Sequence, residues 1–115
     1  MSTFKFALKT CGLSYGEAAE FFGVTESKIK DWCRNKTSPP PTVWEMLADL
    51  YLDIRDLSDH AAHIMDLEGI DFRSYNNIEV EAPEGLEFPN KSIEKMAGAK
   101  SLLRVLAAKK HGFEL

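Results

Sequence analysis

Few side chains in this sequence have the types and spacing that chemistry demands. His60 and His63 stand three residues apart near Asp56, Asp59 and Asp66, a spacing that puts ligand atoms on one helical face. No cysteine or third histidine is near them, and His111 lies far along the chain, so they read as surface or interface histidines and no metal is expected. Asp53/Asp56 and Glu79/Glu81 are carboxylate pairs, but nothing apolar surrounds them that would raise one pKa for acid–base work. Cys11 and Cys33 have neither CxxC nor Cys/His ligand spacing and read as buried, reduced thiols of a cytoplasmic protein. There is no phosphate-cradling glycine loop and no nucleophile motif. No catalytic residue, cofactor or enzymatic activity is expected.

One polar set remains. Along a helix advancing by about 100° per residue, Ile29, Trp32 and Cys33 share one face, and Glu26, Ser27, Lys30, Asp31 and Arg34 fall on the opposite one. The first face must point into a core. The second offers donors and acceptors that suit base edges: Lys30 or Arg34 toward guanine, Glu26 toward the cytosine amine, Ser27 toward either. Thr25, at the helix N-terminus, is placed for a phosphate, and Lys28 and Lys36 for the nucleic-acid backbone.

Several elements must position that stripe. Phe4, Phe6, Ala7 and Leu8 mark a first helix over Thr3–Cys11, stopped near Gly12. Ser14 and Glu17 form a capping box that opens a helix running through Ala18, Ala19 and Phe22 to Gly23. Thr25 caps the next helix, to about Arg34, and Ser38-Pro39-Pro40-Pro41 closes the unit. The spacing then predicts a long amphipathic helix over Val43–Leu67, ended by Gly69. Val43, Leu47, Leu50, Ile54, Leu57, Ala61 and Ile64 step along it by fours and threes, as a heptad seam does. Its first turns suit packing on the preceding helices, and the remainder suits a helix-mediated dimer. Asn77 to Ala82 alternates with period two and reads as a strand. Asn90 caps a last helix, with Ile93, Met96, Ala97, Leu102, Leu103 and Leu106 inward, ending by Gly112.

The run from Leu13 to Lys36 resembles the core of the lambda-repressor-like (Cro/C1-type, XRE) helix-turn-helix family. The resemblance rests on a small residue where two helices cross (Ala19), a glycine at the turn four residues on (Gly23) and an apolar anchor six residues later (Ile29), with Ala18, Phe22, Val24 and Trp32 at the other inward positions. It implies that the helix Thr25–Arg34 lies in the major groove. Two positions depart from the family. Tyr15 stands where a glutamine commonly contacts the sugar-phosphate backbone, and would hold the backbone in its stead. Asn35 stands where a glycine usually closes the recognition helix, and asparagine can still turn left-handed. The order of elements downstream is similar, more loosely, to that of anti-CRISPR-associated phage autorepressors, which would imply repression of the protein's own operon.

The fold class expected is therefore mainly α. Residues 1–44 form a helix-turn-helix DNA-binding unit, 45–69 a long amphipathic helix, and 70–115 a small strand-plus-helix dimerisation segment. The dimer contacts expected are Leu50, Ile54, Leu57, Ala61 and Ile64 on the seam, with Ile78, Val80, Leu102 and Leu106 beyond it.

Charge fits this division. The net charge of −4 looks wrong for a DNA binder until it is resolved along the chain. Residues 1–44 carry six basic against four acidic side chains, 45–89 two against twelve, and 90–115 six against two. Acidity confined to the middle would repel DNA and help orient the face that binds. Hydrophobic residues at 44% and charged residues at 28% exclude wholesale disorder. No apolar run approaches the roughly 18 residues of a membrane span, and the N-terminus does not read as a signal segment.

The function expected is thus a transcriptional regulator, a dimeric repressor of an inverted-repeat operator in double-stranded DNA. The alternative is a protein-interaction module of antitoxin type, with DNA or RNA binding secondary. The basic last helix, with Lys91, Lys95, Lys100, Arg104, Lys109 and Lys110, leaves open contact with nucleic acid or with a partner subunit's acidic segment.

Overall fold

A computed structural model describes residues 2–112. It contains five α-helices and one 3-10 helix, and no strand among the described residues. The chain forms two compact units, residues 1–52 and 53–115, divided within the long fourth helix.

In the first unit, α1 (Thr3–Thr10), α2 (Tyr15–Phe22) and α3 (Glu26–Cys33) are each eight residues long. Helices this short are marginal alone, so their ends matter. Ser2, Ser14 and Thr25 accept hydrogen bonds from the backbone amides of Lys5, Glu17 and Lys28, and Ser14 with Glu17 completes the capping box. All three helices end alike. Leu13, Val24 and Lys36 donate back to the carbonyls of Leu8, Ala19 and Asp31, in each case just after a residue with left-handed backbone: Gly12, Gly23 and Asn35. This closure satisfies carbonyls that a helix end would leave orphaned.

The unit closes around Phe4, which is 1% exposed. Its ring meets Trp32 of α3 and Trp44 of α4 edge-on, at centroid distances of 5.6 and 5.5 Å, and Phe22 of α2 at 6.3 Å. One aromatic residue of α1 thus ties together the other three helices, and Leu8, Leu13, Ala18, Ile29, Val43, Leu47 and Leu50 are buried in the same unit. Of Ser38-Pro39-Pro40-Pro41, only the last proline is helical: Pro41 opens α4 (Pro41–Glu68), where a missing amide does no harm.

In the second unit, α4 continues to Glu68, a 3-10 helix spans Phe72–Asn77 and α5 spans Lys91–His111. Ala61, Ala62 and Met65 of α4 and Leu102 and Val105 of α5 form its core, with Ile70, Tyr75, Ile78, Val80 and Leu106 packed against it. A polar contact sits inside this interface. The Ser101 hydroxyl lies 2.8 Å from the Ser58 carbonyl and 3.2 Å from the Ser58 hydroxyl. Arg104 forms an ion pair with Asp59.

Three expectations need correction. Leu103, expected inward on the last helix, is 65% exposed. The strand expected over Asn77–Ala82 does not form. Asn77 ends the 3-10 helix, and Ile78, Val80 and Ala82 are half-buried while Glu79 and Glu81 are exposed. The alternation is real, but no second segment offers the ladder that would make it a strand. The heptad seam, expected to reach a partner subunit, is instead filled within the chain. Leu50, Ile54, Leu57 and Ala61 are all buried in the single protomer, and only Ile64, 39% exposed, stays open to solvent. Leu102 is buried likewise, and Ile78, Val80 and Leu106 line the core of the second unit. Little of this set is therefore left for a second copy; within the second unit, Ala61, Ala62 and Met65 of α4 pack with Leu102 and Val105 of α5.

Candidate nucleic-acid interface

Three residues separate α2 from α3, and the two helices pack on each other. Gly23 takes φ 68°, which a side chain would strain, and lets the backbone reverse between them. Ala18 and Ala19 are buried on α2, and Ile29, Trp32 and Cys33 on α3, so each apolar position singled out from spacing on α3 faces the core. Ile29 is fully buried and Trp32 stands edge-on to Phe4. These contacts hold the rotation of α3 about its own axis, and with it the direction of the polar stripe.

The stripe points outward. Glu26, Ser27 and Arg34 are exposed, and Lys30 and Asp31 are half-exposed. Lys28 and Lys36, expected at the backbone, are exposed as well. Lys30 lies 3.9 Å from Glu26 in an i,i+4 pair whose side chains are 44% and 55% accessible. Thr25 accepts the Lys28 amide with its hydroxyl oxygen at 3.2 Å, which leaves the hydroxyl proton for another acceptor. The residues brought together on one face of one helix are those chosen from spacing.

Tyr15, expected at the nucleic-acid backbone, stands at the first position of α2. It is half-buried, and its side chain lies close enough to the Cys33 thiol to favour the thiolate. Burial pushes the Cys33 thiol up from its ordinary value, while Tyr15 and the charge of Lys5 pull it down. Tyr15 of α2 and Lys5 of α1 thus both bear on the Cys33 thiol near the C-terminal end of α3. Spacing gave no sign of this, since both stand on other helices.

Elsewhere, His60 and His63 are exposed, and among the described residues no group of three or more histidine, cysteine or acidic side chains could hold a metal ion. No described helix is long and apolar enough to cross a membrane. Comparison of the chain with family models, with curated proteins and with solved structures finds no match.

Proposed function

We propose that the chain is a sequence-specific DNA-binding transcriptional regulator, a dimeric autorepressor that inserts α3 of a helix-turn-helix into the major groove. The observation that carries the reading is the division of α3 into two faces. Ile29, Trp32 and Cys33 are buried, while Glu26, Ser27, Lys30, Asp31 and Arg34 stand at the surface, preceded by a capped N-terminus at Thr25. Donors and acceptors on one rigid helix face are what base-edge readout requires. Two acidic groups in the stripe weaken indiscriminate attraction to phosphate, which leaves base contacts to supply more of the discrimination. One such helix reads only a few base pairs. Two related by a dyad read an inverted repeat, which is why the reading includes a dimer.

The test is fluorescence anisotropy of the purified chain against labelled duplex from directly upstream of its own gene, beside a scrambled duplex. The expected result is tight binding to the native fragment alone, at two protomers per site. Weak and equal binding to both duplexes would overturn the reading and move the function toward a protein or RNA partner.

A further inference from the structure

The first unit carries an apolar groove between α1 and the start of α4. Phe6 and Ala7 line one bank and Trp44, Ala48, Tyr51 and Leu52 the other, around a volume of about 580 Å³. Four of these are large and open to solvent: Phe6 is 51% exposed, Trp44 37%, Tyr51 44% and Leu52 45%. A contiguous apolar patch with three aromatic rings is the composition of an interface centre.

The charges beside the groove say what would cover it. The charge of α1 at this groove is Lys9, and α1 carries no acid; α4 as far as Leu52 carries Glu45 and Asp49 and no base. The Lys9 ammonium lies 5.4 Å from the centre of the Phe6 ring, at the edge of the groove. Helical spacing places Glu45 and Asp49 beyond Leu52 on the opposite edge. One bank is therefore basic and the other acidic. A partner of one sign would be repelled along one bank, so the occupant must bear both signs in the reverse order. A second copy turned by a twofold axis has that pattern, because each basic bank then meets an acidic one.

We propose that the α1–α4 groove is the homodimer interface. Phe6, Trp44, Tyr51 and Leu52 of one protomer pack on the same residues of its partner, and Lys9 pairs across the axis with the acidic bank at Asp49. The heptad seam is consumed within the protomer, so the groove replaces it as the dimer surface. None of the residues lining the groove belongs to α2 or α3, so the stripe on α3 is not part of the covered surface. The inference takes its purpose, a dimer, from the function proposed above, but its evidence is independent of DNA.

Sedimentation velocity of the full chain without DNA, over a range of concentrations, tests it. The expected result is a reversible dimer. Tyr51→Glu should weaken it by about tenfold or more by placing charge in the groove, and Lys9→Glu and Asp49→Lys should each weaken it several-fold. Lys9→Glu combined with Asp49→Lys should recover most of the loss, since both banks change sign together; circular dichroism checks that each variant is folded. A chain monomeric at every concentration, a dimer indifferent to all the variants, or a double variant no better than the single ones would overturn the proposal. A groove dimer that ignores operator DNA would instead overturn the functional reading and leave the interface standing.

Discussion

The hydroxyl of Ser2, at the head of α1, donates to the carbonyl of Cys33, in the last turn of α3, at 2.8 Å. The same oxygen accepts the Lys5 amide at 3.2 Å, so one buried serine caps α1 and satisfies a carbonyl that α3 leaves free. Ser2→Ala should remove both bonds and destabilise the protein by about 1–3 kcal/mol. Urea unfolding measures it, and a midpoint equal to wild type would show that water replaces the hydroxyl.

Removing the outward donors of α3 should act on DNA and not on folding. Lys30→Ala and Arg34→Ala, both on the exposed face, should each weaken specific binding by about 1–3 kcal/mol, or roughly 5- to 150-fold. Thermal midpoints should stay close to wild type. Full affinity retained in both variants would remove α3 from the groove.

Cys33 should make stability depend on alkaline pH. Burial raises its pKa above the unfolded value, with Tyr15 and Lys5 opposing. The folded state therefore holds the thiol proton more tightly than the unfolded chain does. That contribution is complete below the unfolded thiol pKa, at about 8.5, and is lost as pH rises through the folded one. Under reducing conditions, urea midpoints from neutral to alkaline pH should fall more steeply for wild type than for Cys33→Ala. Parallel curves would mean that the thiol titrates alike in both states.

Gly98 sets how closely the segment after the 3-10 helix approaches α5. A Cβ added there would lie 3.0 Å from Val80 Cγ2 and 3.3 Å from Ile78 Cγ2. Alanine is the better helix former by about 1 kcal/mol, but two β-branched side chains have little rotamer freedom to retreat. Gly98→Ala should lower stability by about 1 kcal/mol net, and adding Val80→Ala should make the Gly98 substitution less harmful. Unfolding midpoints of the four-member cycle decide it; a stabilised Gly98→Ala would show that the segment yields freely.

Local signals in the sequence identified the ends of helices well. Ser14, Thr25 and Asn90 cap α2, α3 and α5, and Gly23, Gly112 and Asn35 take the left-handed turns that follow them, because capping and chirality act within a few residues. The apolar and polar faces of α3 were legible for the same reason. Properties that need a second segment were not. The period of Ile78, Val80 and Ala82 says that one side is covered, and the heptad of α4 says that one stripe is buried; neither says by what. Leu102, Val105 and Ser101 of α5 answer for part of that stripe, from some forty residues away. Phe6 reads as a core residue by type, and only its surroundings show that α1 turns it outward.

The Glu26–Lys30 pair gives the proposed regulator a consequence in time. An exposed i,i+4 pair contributes only about 0.3–0.5 kcal/mol, too little to hold Lys30 back from a guanine that can receive it. It is enough to give the ammonium a resting partner wherever no such base is present. In the proposed regulator, the carboxylate would compete with each passing phosphate on arbitrary duplex and shorten residence there by a small factor. A lysine so occupied would favour a rapid search by the proposed regulator, ended at the site whose bases release it.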